Sequence, residues 1–152
     1  MPAKRLRDFL NKHEIRYDSV VHSPAYTAQE TAARVHIKGR QLAKTVMVLV
    51  DGRMSIAVLP ASKKVDIDYF RKEIGAGSVG LAAEEEFKGI FPDCEIGAMP
   101  PFGNLYGIDV FADEGLAEDS EIAFCAGTHT ELVRLPFMDF KRLVKPRMVR
   151  LT

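Results

Sequence analysis

The most continuous apolar pattern in the chain lies in the segment LAKTVMVLVDGRMSIAVLP, residues 42–60. Read at period two, Lys44 shares one face with three valines, and the opposite face is also apolar, so both sides of this strand suit partial burial. The dipeptide Asp51-Gly52 favours a two-residue type I′ turn, because both residues of that turn need a positive φ. We therefore predict a hairpin over residues 43–59, in which Val50 pairs with Arg53 and Lys44 pairs with Leu59.

Lys44 stands out as a charged residue at the open end of an apolar hairpin. One interpretation is structural: the aliphatic part of the side chain packs on the strands and the ammonium reaches water. The other is functional: the ammonium lies at the rim of a pocket, where partial loss of water makes its charge act more strongly on a ligand. The pattern alone leaves both interpretations open.

Patterns of period 3.6 and short apolar runs predict the remaining elements. Thr27 and Glu30 fit a capping box, Asp66 fits the N-cap of a helix that ends at Gly75, and Glu84 to Glu86 suit the start of a short helix. Besides that short helix and the hairpin, the predicted helices cover residues 3–13, 27–35, 68–74 and 137–144, and the predicted strands cover 16–21, 106–113, 121–127 and 147–151.

These elements do not alternate in a strict βαβ rhythm, and the hairpin implies antiparallel pairing. The 152 residues are enough for one sizeable core and few for two. We therefore predict an α+β fold with a single domain over residues 1–152. Its sheet is expected to be curved, barrel-like, mixed and mostly antiparallel, with helices packed around it.

Composition and charge exclude several classes of function. The chain carries 21 basic and 21 acidic side chains, so no overall field attracts nucleic acid or an acidic membrane surface. The N-terminus lacks the apolar core of a secretory signal, and no run approaches the roughly 18 apolar residues of a membrane span. We predict a cytoplasmic protein.

Metal, cofactor and common hydrolase motifs are also missing from the sequence. Cys94 and Cys125 have neither CxxC spacing nor a nearby histidine set, which favours reduced thiols over a zinc site or a disulfide. GxGxxG, GxxxxGKS/T, HExxH and GxSxG patterns do not occur. We expect no metal and no cofactor.

The segment FPDCEIGAMPPFGNLYG, residues 91–107, has three prolines and three glycines, which predicts a shaped loop. Within it, Gly97 allows close approach of the backbone to a ligand, while Pro100 and Pro101 stiffen the chain. Unpaired main-chain N–H groups there could face a carbonyl oxygen, as an oxyanion hole requires. A rigid connection between two elements is the structural alternative.

Two histidines are candidates for contact with a ligand. His129 follows Gly127 and Thr128 at a predicted strand end, and His22 precedes Pro24. An imidazole at such a place can face a ligand, but a single histidine is also a common structural hydrogen-bonding group.

Four segments together resemble a known family. They are HSPAYTAQE at 22–30, LAKTVMV at 42–48, the GxxxP loop from Gly97 to Pro101, and AGTHTELVRL at 126–135. The chain resembles the YbaK/prolyl-tRNA synthetase-associated family, whose members are similar to the editing domain inserted in bacterial prolyl-tRNA synthetases. The resemblance extends over essentially the whole chain, in the order of the family.

The resemblance implies a freestanding, trans-editing aminoacyl-tRNA deacylase. Its expected reaction is hydrolysis of the ester on a mischarged tRNA, with tRNA-Pro carrying alanine or cysteine as the expected substrate. The family implies that a free hydroxyl of the terminal adenosine helps to position or activate the water. By position in the motifs, the catalytic residues are Lys44, Gly97 and Pro101. The expected substrate-binding residues are His22, Tyr26, Thr27, Ala98, Met99, Pro100, Gly127, Thr128 and His129.

Binding of tRNA requires local positive charge, since the net charge is zero. Residues 141–150 hold five basic side chains and no acidic one: Lys141, Arg142, Lys145, Arg147 and Arg150. They either track the tRNA backbone or form an ordinary solvated face. The expected partners are the 3′ end of an aminoacyl-tRNA and a prolyl-tRNA synthetase, without DNA or membrane, and the expected state is a monomer or weak dimer.

Two other functions remain open from the sequence. One is a non-catalytic module of the same fold that binds a nucleotide, a tRNA end or a partner protein. The other is an enzyme in which Lys44 forms a Schiff base with a carbonyl substrate, because a desolvated lysine is a good amine nucleophile.

Overall fold

The computed structural model describes residues 3–25, 28–35 and 41–152. Within these residues the helices are α1 (Lys4–Lys12), α2 (Ala28–Val35), α3 (Ile67–Ile74), α4 (Glu84–Phe87) and α5 (Phe137–Val144). The strands are β1 (Asp18–Val21), β2 (Leu42–Val50), β3 (Arg53–Pro60), β4 (Val79–Leu81), β5 (Asp109–Asp113), β6 (Glu121–Cys125), β7 (Glu131–Pro136) and β8 (Arg147–Val149). None of the described helices is long and apolar enough to cross a membrane.

The β2–β3 hairpin has the predicted register. Val50 pairs with Arg53 and Lys44 pairs with Leu59. Asp51 and Gly52 both have positive φ, 48° and 80°, as the Asp-Gly turn requires. Lys44 therefore lies at the open end of the hairpin, close to Pro60.

The strands form one mixed sheet in the order β1-β7-β6-β2-β3-β5-β8, with β4 paired to β2 outside that order. Four of the pairings among described strands are antiparallel: β1 with β7, β2 with β3, β2 with β4, and β6 with β7. Three are parallel: β2 with β6, β3 with β5, and β5 with β8. The predicted α+β class with a mixed sheet is confirmed.

Strand β2 lies at a fork in this sheet. One of its edges pairs with β3 from Ala43 to Val50. Its other edge is divided, because β6 pairs with Leu42 and Ala43, and β4 pairs with residues 48–50. The sheet therefore has an opening beside the middle of β2, between the ends of β6 and β4.

Helices and loops pack on both faces of the sheet. On one face Phe102, from the Pro-rich loop, lies 5.4 Å from Phe124 of β6 and 5.7 Å from Phe140 of α5, measured between ring centroids. On the other face Phe70 of α3 lies 5.2 Å from Phe111 of β5. The apolar side chains of the hairpin are thus divided between two cores, as their alternation predicts.

The predicted helix boundaries agree with the described helices to within one residue. The Asp66 carboxylate accepts from the Tyr69 main-chain N–H at 3.0 Å, and α3 ends at Gly75 with φ 70°. The helix near Glu84 begins there as α4. The proposed capping box of α2 depends on Thr27, which lies outside the described residues.

Several predicted boundaries and elements are wrong. Strand β1 begins at Asp18, two residues later than predicted. The predicted acidic turn after β5 is a 3-10 helix, Glu114–Glu118. The Asp113 carboxylate caps this helix, because it accepts from the Gly115 N–H at 3.0 Å. Strand β4, whose three residues include a glycine, was not predicted from the sequence. Strand β7, where a buried glutamate, Glu131, interrupts the expected apolar pattern, was not predicted either.

Candidate active site

A cavity of about 180 Å³ opens beside the fork in β2. It brings together four of the predicted site residues, Lys44, Gly97, Met99 and His129, from three distant parts of the chain. The described residues that line it are Ala25, Thr31, Leu42, Ala43, Lys44, Thr45, Gly97, Met99, Cys125 and His129.

Lys44 is half-buried in the wall of this cavity. Among the described residues it has no carboxylate partner. Burial lowers the pKa of its ammonium below the usual value, and repulsion from the nearby ammonium of Lys64 lowers it further. The cavity wall therefore carries a poorly solvated positive charge that no carboxylate in the described part of the chain neutralises.

Gly97 lines the same cavity as Lys44 and has a left-handed φ of 89°. A Cβ atom at this position would lie 3.3 Å from Cε1 of His129, which is closer than most real contacts of that kind. The Gly97 main-chain N–H donates to the Met99 sulfur at 3.1 Å. Because a thioether is a weak acceptor, a ligand oxygen could replace it.

The rest of the loop is fixed by main-chain bonds to the segment that follows β6. Gly127 donates its N–H to the Ala98 carbonyl at 2.8 Å, and its own carbonyl accepts from Glu95 at 2.7 Å. Ala98, Pro100 and Pro101 are buried behind the cavity. The main-chain N–H of Met99, a residue that lines the cavity, has no acceptor among the described residues.

His129 holds the loop before Gly97 in place through two hydrogen bonds. Its Nε2 lies 2.9 Å from the Ile96 carbonyl oxygen, and its main-chain N–H donates to the Glu95 carboxylate at 3.2 Å. Since a carbonyl oxygen only accepts, Nε2 carries the proton in this contact and cannot serve there as a base. The contacts of His129 are those of a positioning residue at the cavity wall.

The other predicted site residues do not line the cavity or cannot be compared. His22 donates its main-chain N–H to the Thr130 carbonyl at 2.8 Å, and Thr128 lies 3.2 Å from Thr130 between hydroxyl oxygens. Tyr26 and Thr27 lie outside the described residues. Ala25 lines the cavity instead, and its N–H donates to the His129 carbonyl at 3.2 Å.

Cys125 is a cavity residue that the sequence analysis did not identify. Burial raises the pKa of its thiol to about 11, although the Thr31 hydroxyl opposes this shift by hydrogen bonding to it. The thiolate is therefore scarce at neutral pH, and Cys125 is a poor nucleophile there. Its place at the end of β6 depends on parallel pairing with β2, for which the sequence holds no local signal.

The basic cluster at 141–150 lies away from the cavity. Its five side chains are exposed, none of them lines the cavity, and Arg142 pairs with Asp139 at 3.2 Å. Arg150 borders a different cavity, of about 510 Å³. Lys64, which was not among the predicted site residues, is the described basic residue whose charge acts on Lys44.

The model of one protein family, described as aminoacyl-tRNA editing domain, matches residues 22–143. The chain is 27% identical over 103 residues to a proline–tRNA ligase of Bacillus mycoides (strain KBAB4), which covers 68% of this chain and 18% of the ligase. It is 25% identical over 118 residues to a proline–tRNA ligase of Bacillus cereus (strain G9842), which covers 78% of this chain and 20% of the ligase. The chain thus spans about a fifth of the length of these relatives.

Solved structures share the fold over nearly the whole chain. A hypothetical protein matches with a TM-score of 0.84 at 18% identity, over 96% of this chain and 99% of that one. A candidate trans-editing enzyme for prolyl tRNA synthetase matches with a TM-score of 0.82 at 21% identity, over 99% of this chain and 96% of that one. At these identities the likeness establishes the fold.

Proposed function

Because the chain belongs to the aminoacyl-tRNA editing domain family, we propose that it hydrolyses the ester bond of mischarged tRNA in trans, with tRNA-Pro carrying a small amino acid such as alanine or cysteine as substrate. Membership confirms the resemblance predicted from the four sequence segments. The relatives named as proline–tRNA ligases support tRNA-Pro as the nucleic acid. The reaction belongs in the cytoplasm, where aminoacyl-tRNAs are made and used.

The observation that carries this proposal is the half-buried ammonium of Lys44 in the cavity wall, for which the described residues offer no carboxylate partner. Attack of water on an ester builds negative charge on the carbonyl oxygen, and a fixed positive charge stabilises that state more than the ground state. Partial burial strengthens the effect, since the local dielectric is lower than in water. Lys44 is thus suited to bind the ester end of a tRNA or the phosphate of its terminal nucleotide.

Main-chain donors from the GxxxP loop complement the lysine. Gly97 and Met99 both line this cavity. The N–H of Gly97 is bound to a weak sulfur acceptor, and the N–H of Met99 has no acceptor among the described residues. Fixed donors of this kind need no reorganisation during the reaction. Pro100 and Pro101 stiffen the loop that presents them.

Candidate bases are few in the described part of the cavity. The Cys125 thiol stays protonated at neutral pH, and the Nε2 of His129 is bound to the Ile96 carbonyl. A free hydroxyl of the terminal ribose would therefore position or activate the water, as the family implies. The role of the protein is to hold the ester and stabilise charge on its carbonyl oxygen.

The size of the cavity favours a small amino acid. About 180 Å³, bordered by Ala25, Leu42 and Cys125, is less than the volume of most small-molecule sites. It suits the aminoacyl group and not the whole terminal nucleotide. Discrimination by one or two methyl groups amounts to about 1–3 kcal/mol, so neighbouring small residues are expected to be hydrolysed at measurable rates too.

The proposal is tested with tRNA-Pro charged with alanine, serine, cysteine or threonine, and with correctly charged prolyl-tRNA as control. We expect hydrolysis of alanyl or cysteinyl esters well above the uncatalysed rate, and no acceleration for the prolyl ester. A folded protein that hydrolyses none of these esters would favour the non-catalytic binding module.

The lowered pKa of Lys44 is also what a Schiff-base enzyme would need. The two functions differ in one product, because only the Schiff base leaves an adduct that borohydride fixes to the lysine. We expect intact-mass measurement after reduction in the presence of substrate to show no added mass. An adduct on Lys44 would contradict the deacylase.

A further inference from the structure

The middle of β2 has a main-chain edge that none of the described strands covers. The Met47 carbonyl accepts from the Ala82 N–H at 2.9 Å, and the Asp51 N–H donates to the Ser78 carbonyl at 2.9 Å. Odd-numbered residues of β2 therefore direct their main-chain polar groups away from β3. By the alternation of a strand, the N–H and C=O of Thr45 point to that same side.

Thr45 is the odd-numbered residue that falls in the opening of the fork. Pairing with β6 ends at Ala43, and bonding towards β4 begins at Met47. Because the ladder to β6 stops at Ala43, the N–H of Thr45 makes no ladder bond to β6, and no loop or side-chain group of the described residues bonds to its N–H or C=O. Buried main-chain groups are nearly always paired, so the N–H and C=O of Thr45 can take a partner beyond the described part of the chain, such as a ligand.

The opening lies directly against the candidate active site. Thr45 lines both the 180 Å³ cavity and an adjoining groove of about 320 Å³, and these two spaces also share Gly97 and Met99. The edge of Thr45 therefore borders the same cavity as the Lys44 side chain.

An aminoacyl ester has the chemistry that this edge requires. Its α-ammonium and its carbonyl are attached to one Cα, in the same order as the N–H and C=O of a residue in a strand. In an antiparallel sheet, two directly opposed residues exchange both of these hydrogen bonds. One free strand residue therefore complements one aminoacyl group, as a peptide does when it extends a sheet.

We propose that the main chain of Thr45 binds the aminoacyl group of the substrate as a single residue of an added antiparallel strand. Its N–H donates to the ester carbonyl, and its C=O accepts from the α-ammonium. This inference rests on the proposed deacylase function and adds a recognition group to it. The bond to the carbonyl oxygen strengthens as negative charge develops there, so Thr45 contributes to catalysis as well as to binding.

In this binding mode, different groups recognise the aminoacyl backbone and the amino-acid side chain of the substrate. The two bonds involve only atoms that every α-aminoacyl ester has. The side chain of a residue in a strand stands perpendicular to the sheet, so the substrate side chain would be directed to one face of the opening. The cavity residues on that face would then limit its size.

The first test is nuclear magnetic resonance with a stable analogue, 3′-(L-alanylamino)-3′-deoxyadenosine, at saturating concentration. In the free protein we expect the Thr45 amide to exchange with solvent quickly, while the Val46 amide, directed to β3 opposite Ala57, is protected. Binding should slow exchange at Thr45 at least about tenfold and move its proton resonance downfield. Failure of the analogue to bind, or saturation that leaves Thr45 unchanged, would overturn the inference.

The second test removes the N–H of residue 45 and compares two proteins that carry the same side chain at that position. Incorporation of 2-hydroxy-3-methylbutanoic acid at position 45 replaces the amide with an ester, and Thr45→Val is the reference with the same side-chain shape. We expect the ester-linked protein to deacylate alanyl-tRNA at least about tenfold more slowly than Thr45→Val, because the N–H that would bind the ester carbonyl is lost. Its thermal midpoint should fall only slightly, since the ester weakens the Lys44 carbonyl as an acceptor towards β3 but removes no bond of that ladder.

The outcomes separate the two proposals. Equal rates for the amide and ester proteins, with an active wild type, would overturn the role of Thr45 and leave the deacylase standing. Analogue binding that protects Thr45, in a protein that hydrolyses no ester, would overturn the deacylase and leave the binding mode standing.

Discussion

At the scale of single residues, the environment of Lys44 predicts an unusual dependence on pH. Burial and the Lys64 ammonium both lower the pKa of Lys44, so its charge is lost at a lower pH than that of an ordinary lysine. We expect enzymatic deacylation, corrected for uncatalysed hydrolysis, to fall as the pH rises through that lowered pKa. Lys64→Ala removes the repulsion, so the fall should move to higher pH. A pH profile of kcat/KM for the two proteins checks both signs, and a profile unchanged by Lys64→Ala would contradict this assignment.

Gly97 supplies a second prediction at this scale. Its φ of 89° is strained for any side chain, and a Cβ there would meet the imidazole of His129 at 3.3 Å. We expect Gly97→Ala to cost about 1–3 kcal/mol of stability and to reduce deacylation at least about tenfold, because the loop that presents the main-chain donors must shift.

Gly89→Ala is the matched control for that change. A Cβ on Gly89 meets no atom within 4 Å, and its backbone lies outside the left-handed region. Urea denaturation and single-turnover deacylation should leave this variant close to wild type. Wild-type activity in Gly97→Ala would show that the loop geometry does not matter to the reaction.

At the scale of elements, the shape of the fork depends on how the hairpin turn is tied to β4. The Asp51 carboxylate accepts from the Gly77 and Ser78 main-chain N–H groups at 2.9 and 2.8 Å. We expect Asp51→Ala to lower the free energy of unfolding by about 1–2 kcal/mol, since two hydrogen bonds and a tolerated positive φ are lost. Asp51→Asn keeps one acceptor and tolerates the same φ, so it should lose less. Equal losses in the two variants, measured by urea denaturation, would contradict this account.

The elements also show which parts of the site local sequence can predict. The Asp-Gly turn and the alternation of β2 determine the register of the hairpin, and so the position of Lys44. The opening beside β2 depends on its parallel contact with β6, whose residues are about eighty positions later in the chain. No local pattern encodes that contact, and for this reason Thr45 and Cys125 were not recognised as site residues.

Dependence on pairing with distant strands also explains why β4 and β7 were not predicted. The short β4 takes its place from pairing with β2, and β7 from pairing with β1 and β6. The expectation that His129 faces a ligand came from a local signal, a Gly-x-His segment after a strand, and the structure places His129 at the cavity wall. Its role as a brace depends on the Ile96 carbonyl, which only the folded loop brings to 2.9 Å.

At the scale of the whole molecule, a chain with no net charge must bind tRNA through local clusters. The basic cluster at 141–150 lies apart from the cavity, where it could contact the body of the tRNA and not the ester. We expect the triple change Lys141→Ala, Lys145→Ala and Arg147→Ala to weaken tRNA binding and to reduce the slope of log K against log salt by about 2 to 3. Hydrolysis of a short aminoacyl-oligonucleotide should be unaffected.

Lys88→Ala is the control for that experiment, since Lys88 is exposed and pairs with Glu85 at 2.9 Å near the acidic start of α4. It should leave both the affinity and the salt slope unchanged. A triple variant with the wild-type salt slope would assign the cluster to an ordinary solvated face.

The most direct test of the central claim is single-turnover hydrolysis of alanyl-tRNA-Pro by Lys44→Ala, beside Lys64→Ala as a variant that loses a neighbouring ammonium outside the cavity wall. We predict that Lys44→Ala keeps the circular dichroism spectrum of the wild type and loses at least about 100-fold in rate. Lys64→Ala should retain activity near neutral pH. Full activity in Lys44→Ala would contradict the claim that this ammonium stabilises charge on the ester.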